Sequence, residues 1–276
     1  MGLSETERLA KLDELDRQIA DHPGRIEYVR LQAFARMLGA VFVRNLWELL
    51  ALLNRAAIDE ELAMELVQNV RDPVIREAFQ AETLQRLHNY VAASATLVDH
   101  SRRLLNGQSG PLVDEFEVRK RALNDDNSVI FVLDLRNFTV HRTLPFLAHT
   151  VSLTNVNTPN MEMTSEVELS TGDLKVWTGW DVRSKAFLED QGERLALRPV
   201  IAHHGQVTEE LNRWLSTSLA KANEDALDAV NRLIVEATAI RFDTDMETAE
   251  RFLRERPFPF GEDVPDSDSG PDDAEG

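Results

Sequence analysis

The stretch from Asn127 to Pro145, NSVIFVLDLRNFTVHRTLP, is the most apolar segment of the chain, yet it carries Arg136, Asn137 and His141 in its middle. Placed on a helix at about 100° per residue, it sorts into stripes. Ile130, Leu133, Asn137, His141 and Leu144 fall on one stripe, and Phe131, Leu135 and Phe138 on a second. Val129, Val132, Arg136 and Val140 make a third. A helix that is apolar nearly all round is buried in a bundle or in a subunit interface, so this one is expected at the centre. Asn137 and His141 are i,i+4 neighbours and interrupt an inward stripe. Buried polar groups left unpaired cost ~1–3 kcal/mol each. The two must therefore bond each other, bond across to another helix, or line a cleft. Arg136 lies well round the helix from His141, and a carboxylate such as Asp134 is a candidate partner for either.

The segments before this stretch read as helices. Ser4 to Asp21 opens on a capping box, Ser4 with Glu7, carries the stripe Leu9, Leu12, Leu15 and Ile19, and is broken by His22-Pro23-Gly24. Arg25 to Ala57 is a long helical pattern whose second half, VFVRNLWELLALL, is apolar almost all round and hence expected to be central. A shorter helix follows over Ile58 to Val70, and Asp72-Pro73 restarts the chain with Pro at the first helical position. Pro73 to Asn106 is a second long helix, with small residues at Ala92 to Ala95 that allow close approach of a neighbour. Gly107 to Pro111 is a turn, Pro111 to Asn124 a charged helix, and Asn124 to Ser128 a turn and N-cap signal.

After Pro145 the pattern shifts toward period two. His149 to Thr154, Met161 to Leu169 and Leu174 to Trp180 are rich in Val, Thr and Leu, with turns at Asn155–Asn160 and Ser170–Asp173. They predict a two- or three-stranded antiparallel meander whose Met161, Met163, Trp177 and Trp180 cover the helical core. Helices return over Val182 to Gly192, over Leu195 to Ile240 with a break near Gly205, and over Met246 to Arg254. The expected fold is mainly α, a helical bundle with a small antiparallel β meander inserted after the central helix. The expected layout is an N-terminal helix at 1–24, one helical domain at 25–256 with the β insertion at about 149–180, and a disordered acidic tail at 257–276.

The 276 residues, 43% hydrophobic, suffice for a sizeable core. With no cysteine, disulfides and thiolate metal sites are excluded, and a reducing cytoplasm is the expected location. No consecutive apolar run approaches the ~18 residues of a membrane span, so no membrane partner is expected. The N-terminus, polar and acidic, is unlike a signal peptide. A net charge of −18 argues against broad non-specific nucleic-acid binding. It leaves room for a small basic site, and it makes the acidic tail a candidate for a basic protein partner.

Arg136-Asn137-Phe138-Thr139-Val140-His141 resembles the R-x4-6-H motif of HEPN domains, including the polar residue directly after the Arg. The Pro145 that follows is similar to many prokaryotic sequences with this motif. The resemblance covers residues 25 to 240 loosely. It implies an all-α bundle of four or more helices with the motif near the start of a late helix. The β-rich segment after the motif departs from the minimal family fold. It further implies a metal-independent endoribonuclease, without cofactor, that dimerises so that two motifs share one cleft. His141 would then be the acid/base at the ribose 2′-hydroxyl or the leaving oxygen, work suited to imidazole as a residue type. Arg136 would hold the scissile phosphate, and Asn137 would orient the imidazole or donate to the phosphate. Arg142, with Arg119, Lys120 and Arg121, would supply a basic rim for RNA. An Arg of one chain could serve the His of the other. Other HEPN domains cleave nothing and act as binding or dimerisation modules, and both readings stay open here.

Other constellations carry less. His203-His204 with Glu209 and Glu210 has no metal-binding spacing, because adjacent helical histidines point apart. His88, Tyr90, Asp99 and His100 read as hydrogen-bonding residues of the bundle, with Asp99 and His100 candidates to face the motif. Trp47, Trp177, Trp180 and Trp214 read as core. No P-loop, G-x-G-x-x-G or G-x-S-x-G is present.

Overall fold

The computed structural model describes residues 4–68, 74–155 and 162–255. Met161, the Asp72-Pro73 restart and the tail from 257 lie outside them. The fold is mainly helical with a small antiparallel sheet. Helices α1 (Glu5–Asp21) and α2 (Gly24–Arg36) lead into a π-helical segment (Met37–Val43) that continues as α3 (Arg44–Ile58). Then come α4 (Glu60–Gln68), α5 (Val74–Leu105), α6 (Pro111–Asn124) and α7 (Asn127–His141). Strands β1 (Leu147–Thr154) and β2 (Glu162–Ser170) are followed by α8 (Thr171–Lys175), α9 (Val182–Glu189) and β3 (Arg194–Ala196). The chain ends in α10 (Leu197–Ala222), α11 (Glu224–Arg241) and α12 (Met246–Glu255).

The chain forms two compact units, 1–40 with 219–276, and 41–218. The expected boundary at 24/25 thus falls inside the first unit. In that unit α1, α2 and α12 pack on α11. The Ser4–Glu7 capping box is formed, Ser4 N donating to Glu7 Oε2 at 2.9 Å. Gly24 lets α2 meet α11 closely, since a Cβ there would sit 2.3 Å from the Ala226 carbonyl oxygen.

The second unit is built on α3, α5 and α7. Phe42, Leu46, Leu49 and Leu53 bury one side of the α3 region, against α5 and β2. Its other side is open, with Trp47 47% exposed and Val41 also exposed, so this helix is amphipathic and not apolar-packed all round. By length and composition alone, the continuous helix Gly24–Ile58 would be long and apolar enough to cross a membrane, and 44% of its most apolar window is buried.

The sheet has the order β1-β2-β3, antiparallel throughout, with Leu147 opposite Leu169 and Leu169 opposite Leu195. Two of the predicted strands are found. The third, Leu174–Trp180, is not a strand. Ser170 caps the short α8, its hydroxyl accepting from Asp173 N at 3.4 Å, and Trp180 Nε1 donates back to the Leu174 carbonyl at 2.7 Å. The third strand is Arg194–Ala196 instead. Nor does Gly205 break its helix: α10 runs through it and ends at Ala222. Gly205 is a point of close approach, where a Cβ would meet both Leu46 methyl groups at 2.5 Å.

Candidate functional site at the end of helix α7

Helix α7 starts at Asp126, whose carboxylate accepts from Ser128 N at 2.9 Å and from the Ser128 hydroxyl at 2.6 Å. The same side chain takes His203 Nε2 at 2.7 Å, tying the start of α7 to α10. These contacts hold the Asp126 carboxyl below its ordinary value, against a burial effect that pushes the other way. The first turns of α7 are enclosed on every side, with Val129, Ile130, Phe131 and Val132 all buried. Further along only one face stays inside. Leu135 and Phe138 are buried there, Phe138 stacked on Trp180 at 5.3 Å and edge-on to Trp177 at 5.5 Å. Phe131 meets Trp180 and Phe187, so five aromatic rings clamp α7 to the α8–α9 segment.

Over the last turns of α7 the stripe of Asn137 and His141 turns outward, although Ile130 at its start is buried. Asn137 is half-buried and His141 is exposed, which corrects the expectation that both interrupt an inward face. The inward stripe is that of Phe131, Leu135 and Phe138. The motif also sits at the end of α7, not near the start of a late helix. His141 is the last helical residue, and Arg142 closes the helix through its backbone N–H to the Phe138 carbonyl. Thr143 to Phe146 then lead without regular structure into β1.

Asp134 is already committed. Its Oδ2 accepts from Asp181 N at 2.7 Å and from the Ser184 hydroxyl at 2.9 Å, holding the start of α9. Its Oδ1 takes Asn137 Nδ2 at 3.4 Å, and Asn137 Oδ1 in turn accepts from Arg136 Nη1 at 3.2 Å. Asn137 is therefore joined to Arg136 rather than to His141. Among the described residues Arg136 forms no ion pair with a carboxylate. Most of its guanidinium donors are left for an outside acceptor.

Around His141 the surface is apolar. Val140 and Leu144 are each 49% exposed and Phe146 is 59% exposed. Arg142 is exposed beside them. Of the rest of the expected basic rim, Arg119 pairs with Glu115 at 2.7 Å and Lys120 with Glu117 at 3.1 Å within their own helix, while Arg121 is exposed. Arg119 also lies over Trp214 at 4.4 Å. Asp99 is exposed and pairs with Arg102 at 3.2 Å, so it does not serve the motif. The anchoring role of Asp134 was only half readable. Its nearness to Arg136 is visible in sequence, but its partners on α9 are some 50 residues away.

Compared with protein-family models, with curated proteins and with solved structures, the chain gives no match.

Proposed function

We propose that the protein is a metal-independent endoribonuclease acting as a homodimer, with Arg136, Asn137 and His141 of two chains in one cleft. The observation that carries this reading is the state of Arg136. Its guanidinium is bound to an amide oxygen, while the carboxylate two residues away is spent on α9. An arginine so placed binds phosphate in bidentate fashion. Arg136 and His141 are five residues apart and point to different sides of α7, so a second copy supplies the Arg that one His requires. Exposed Val140, Leu144 and Phe146 offer the apolar surface for that pairing.

In the reaction, one imidazole takes the proton of the ribose 2′-hydroxyl, and the oxygen attacks the adjacent phosphorus. The 5′-oxygen leaves with a proton returned by an imidazolium. The products are a 2′,3′-cyclic phosphate and a 5′-hydroxyl. Arg136 stabilises the charge that builds on the phosphoryl oxygens.

The test is cleavage of a labelled single-stranded RNA in EDTA. His141→Ala should lower the rate by roughly 10²–10⁴-fold, the usual worth of general acid–base catalysis, with the circular dichroism spectrum unchanged. Leu144→Asp should both dissociate the dimer and abolish cleavage. Cleavage that survives His141→Ala sinks the reading. The same apolar surface supports a second reading, a non-catalytic dimerisation or protein-interaction module. It predicts a dimer that leaves RNA intact.

A further inference from the structure

A half-open cavity of about 550 Å³ lies within the 41–218 unit, lined by α5, α6, α7 and α10. That is the size of sites that hold drug-sized ligands, which fall at ~300–1,000 Å³. Val98, Val113, Phe116, Leu123 and Leu133 make an apolar wall from three helices, and charged side chains such as Arg102, Glu117 and Lys120 line the cavity as well. Opposite them α10 presents His204, Thr208 and Asn212, at i, i+4 and i+8, all buried and polar. An inward face of α10 made of apolar residues would have been the ordinary choice for a bundle.

His204 is the decisive member. It is 1% exposed, and its Nδ1 meets the Tyr90 hydroxyl at 2.5 Å. Burial raises the Tyr90 phenol well above its ordinary pKa, so the phenol keeps its proton, and the basic nitrogen within hydrogen-bond reach of that buried O–H is His204 Nδ1. Burial likewise depresses His204, to about 3, so the imidazole is neutral. A neutral imidazole that accepts at Nδ1 carries its own proton on Nε2. That Nε2–H has no acceptor among the described residues. The neighbouring polar groups are spoken for: Ser101 Oγ donates to Asn212 Oδ1 at 2.6 Å, and Asn212 Nδ2 donates to the Thr208 carbonyl at 2.8 Å. A buried donor in this state calls for an acceptor from elsewhere.

We propose that this cavity is a binding site for a small, mostly apolar molecule bearing a carbonyl oxygen, which accepts the His204 Nε2–H while its apolar body lies against Phe116, Leu123 and Leu133. The site is separate from the α7 motif and does not depend on the ribonuclease reading.

The test uses a matched pair of probes, 2-acetylnaphthalene and 2-ethylnaphthalene, which differ in carrying or lacking the carbonyl oxygen. Binding to the full chain is followed by calorimetry and by amide chemical shifts. The ketone should bind at least tenfold more tightly than the hydrocarbon, with shifts confined to α5, α6, α7 and α10. His204→Phe should reduce that ratio to near one. Val113→Trp, at a half-buried place on α6, should fill the cavity and remove the binding of both probes while the fold is kept. No binding of the ketone to the folded wild-type chain overturns the proposal. So do equal affinities for the two probes, or binding that Val113→Trp leaves unchanged.

Discussion

At the scale of single residues, two histidines govern how the protein answers to acid. His204 is neutral in the folded chain, with a pKa near 3, and His149 is shifted the same way by burial. His149 Nε2 bonds the Ser165 hydroxyl at 2.8 Å. In an unfolded chain either ring titrates near 6.5. Between the two values the unfolded state binds protons that the folded state refuses, so stability falls as pH drops below about 6.5 and goes on falling toward 3. His204 alone should cost about 2 kcal/mol between pH 6.5 and pH 5, at 1.36 kcal/mol per unit of pH. Unfolding free energies from urea titrations at pH 7 and pH 5 should differ by about that amount, and His204→Phe should narrow the gap. An equal pH dependence in the variant would show that the ring is already charged or solvated. In the sequence His149 is only the start of a strand pattern, and His204 only one of a His203-His204 pair without metal-binding spacing; the residue that meets His204 in the fold, Tyr90, is 114 positions away.

At the scale of elements, local chemistry was legible and the choice of face was not. The capping box of α1, the Pro111 start of α6, and β1 with β2 follow from signals within a few residues of each other, and they formed as expected. Helix α7 is apolar on several stripes, so period alone could not say which faces the core; the rings of Trp177, Trp180 and Phe187, arriving against Phe131 and Phe138, decide it. Leu174–Trp180 has the composition of a strand, but the Ser170 cap and the Trp180–Leu174 bond turn it into a helix and a loop. Gly205 has the look of a helix breaker and is instead a contact with Leu46. Gly205→Ala should therefore lose about 1–3 kcal/mol by overpacking, more than the ~1 kcal/mol that alanine gains over glycine within a helix. Thermal unfolding of Gly205→Ala and of Gly205→Ala with Leu46→Ala would check this. The second substitution should remove the clash, so the pair should be less destabilised than the sum of the single changes.

At the scale of the whole molecule, charge sets the terms for any polyanionic partner. The chain carries −18, and many of its surface arginines are paired within their own helices, as Arg44 with Glu48 and Arg213 with Glu209. A nuclease with a basic surface loses RNA affinity steeply as salt rises. Here long-range repulsion opposes the approach of RNA, and salt screens it over about 10 Å at 0.1 M. On the ribonuclease reading proposed above, raising sodium chloride from 20 to 100 mM (about 20 Å to 10 Å in screening length) should increase kcat/KM for RNA cleavage or leave it flat. A steep fall would mean that a basic surface outside Arg136 and Arg142 carries the binding.

The π-helical segment Met37–Val43 carries Phe42 against the Tyr90 ring, at 5.7 Å between ring centres. Tyr90 is in turn the partner of His204. The widened turn therefore backs the bond that keeps the buried imidazole in place, and a change of side chain at Phe42 is relayed to α10 through a single phenol ring.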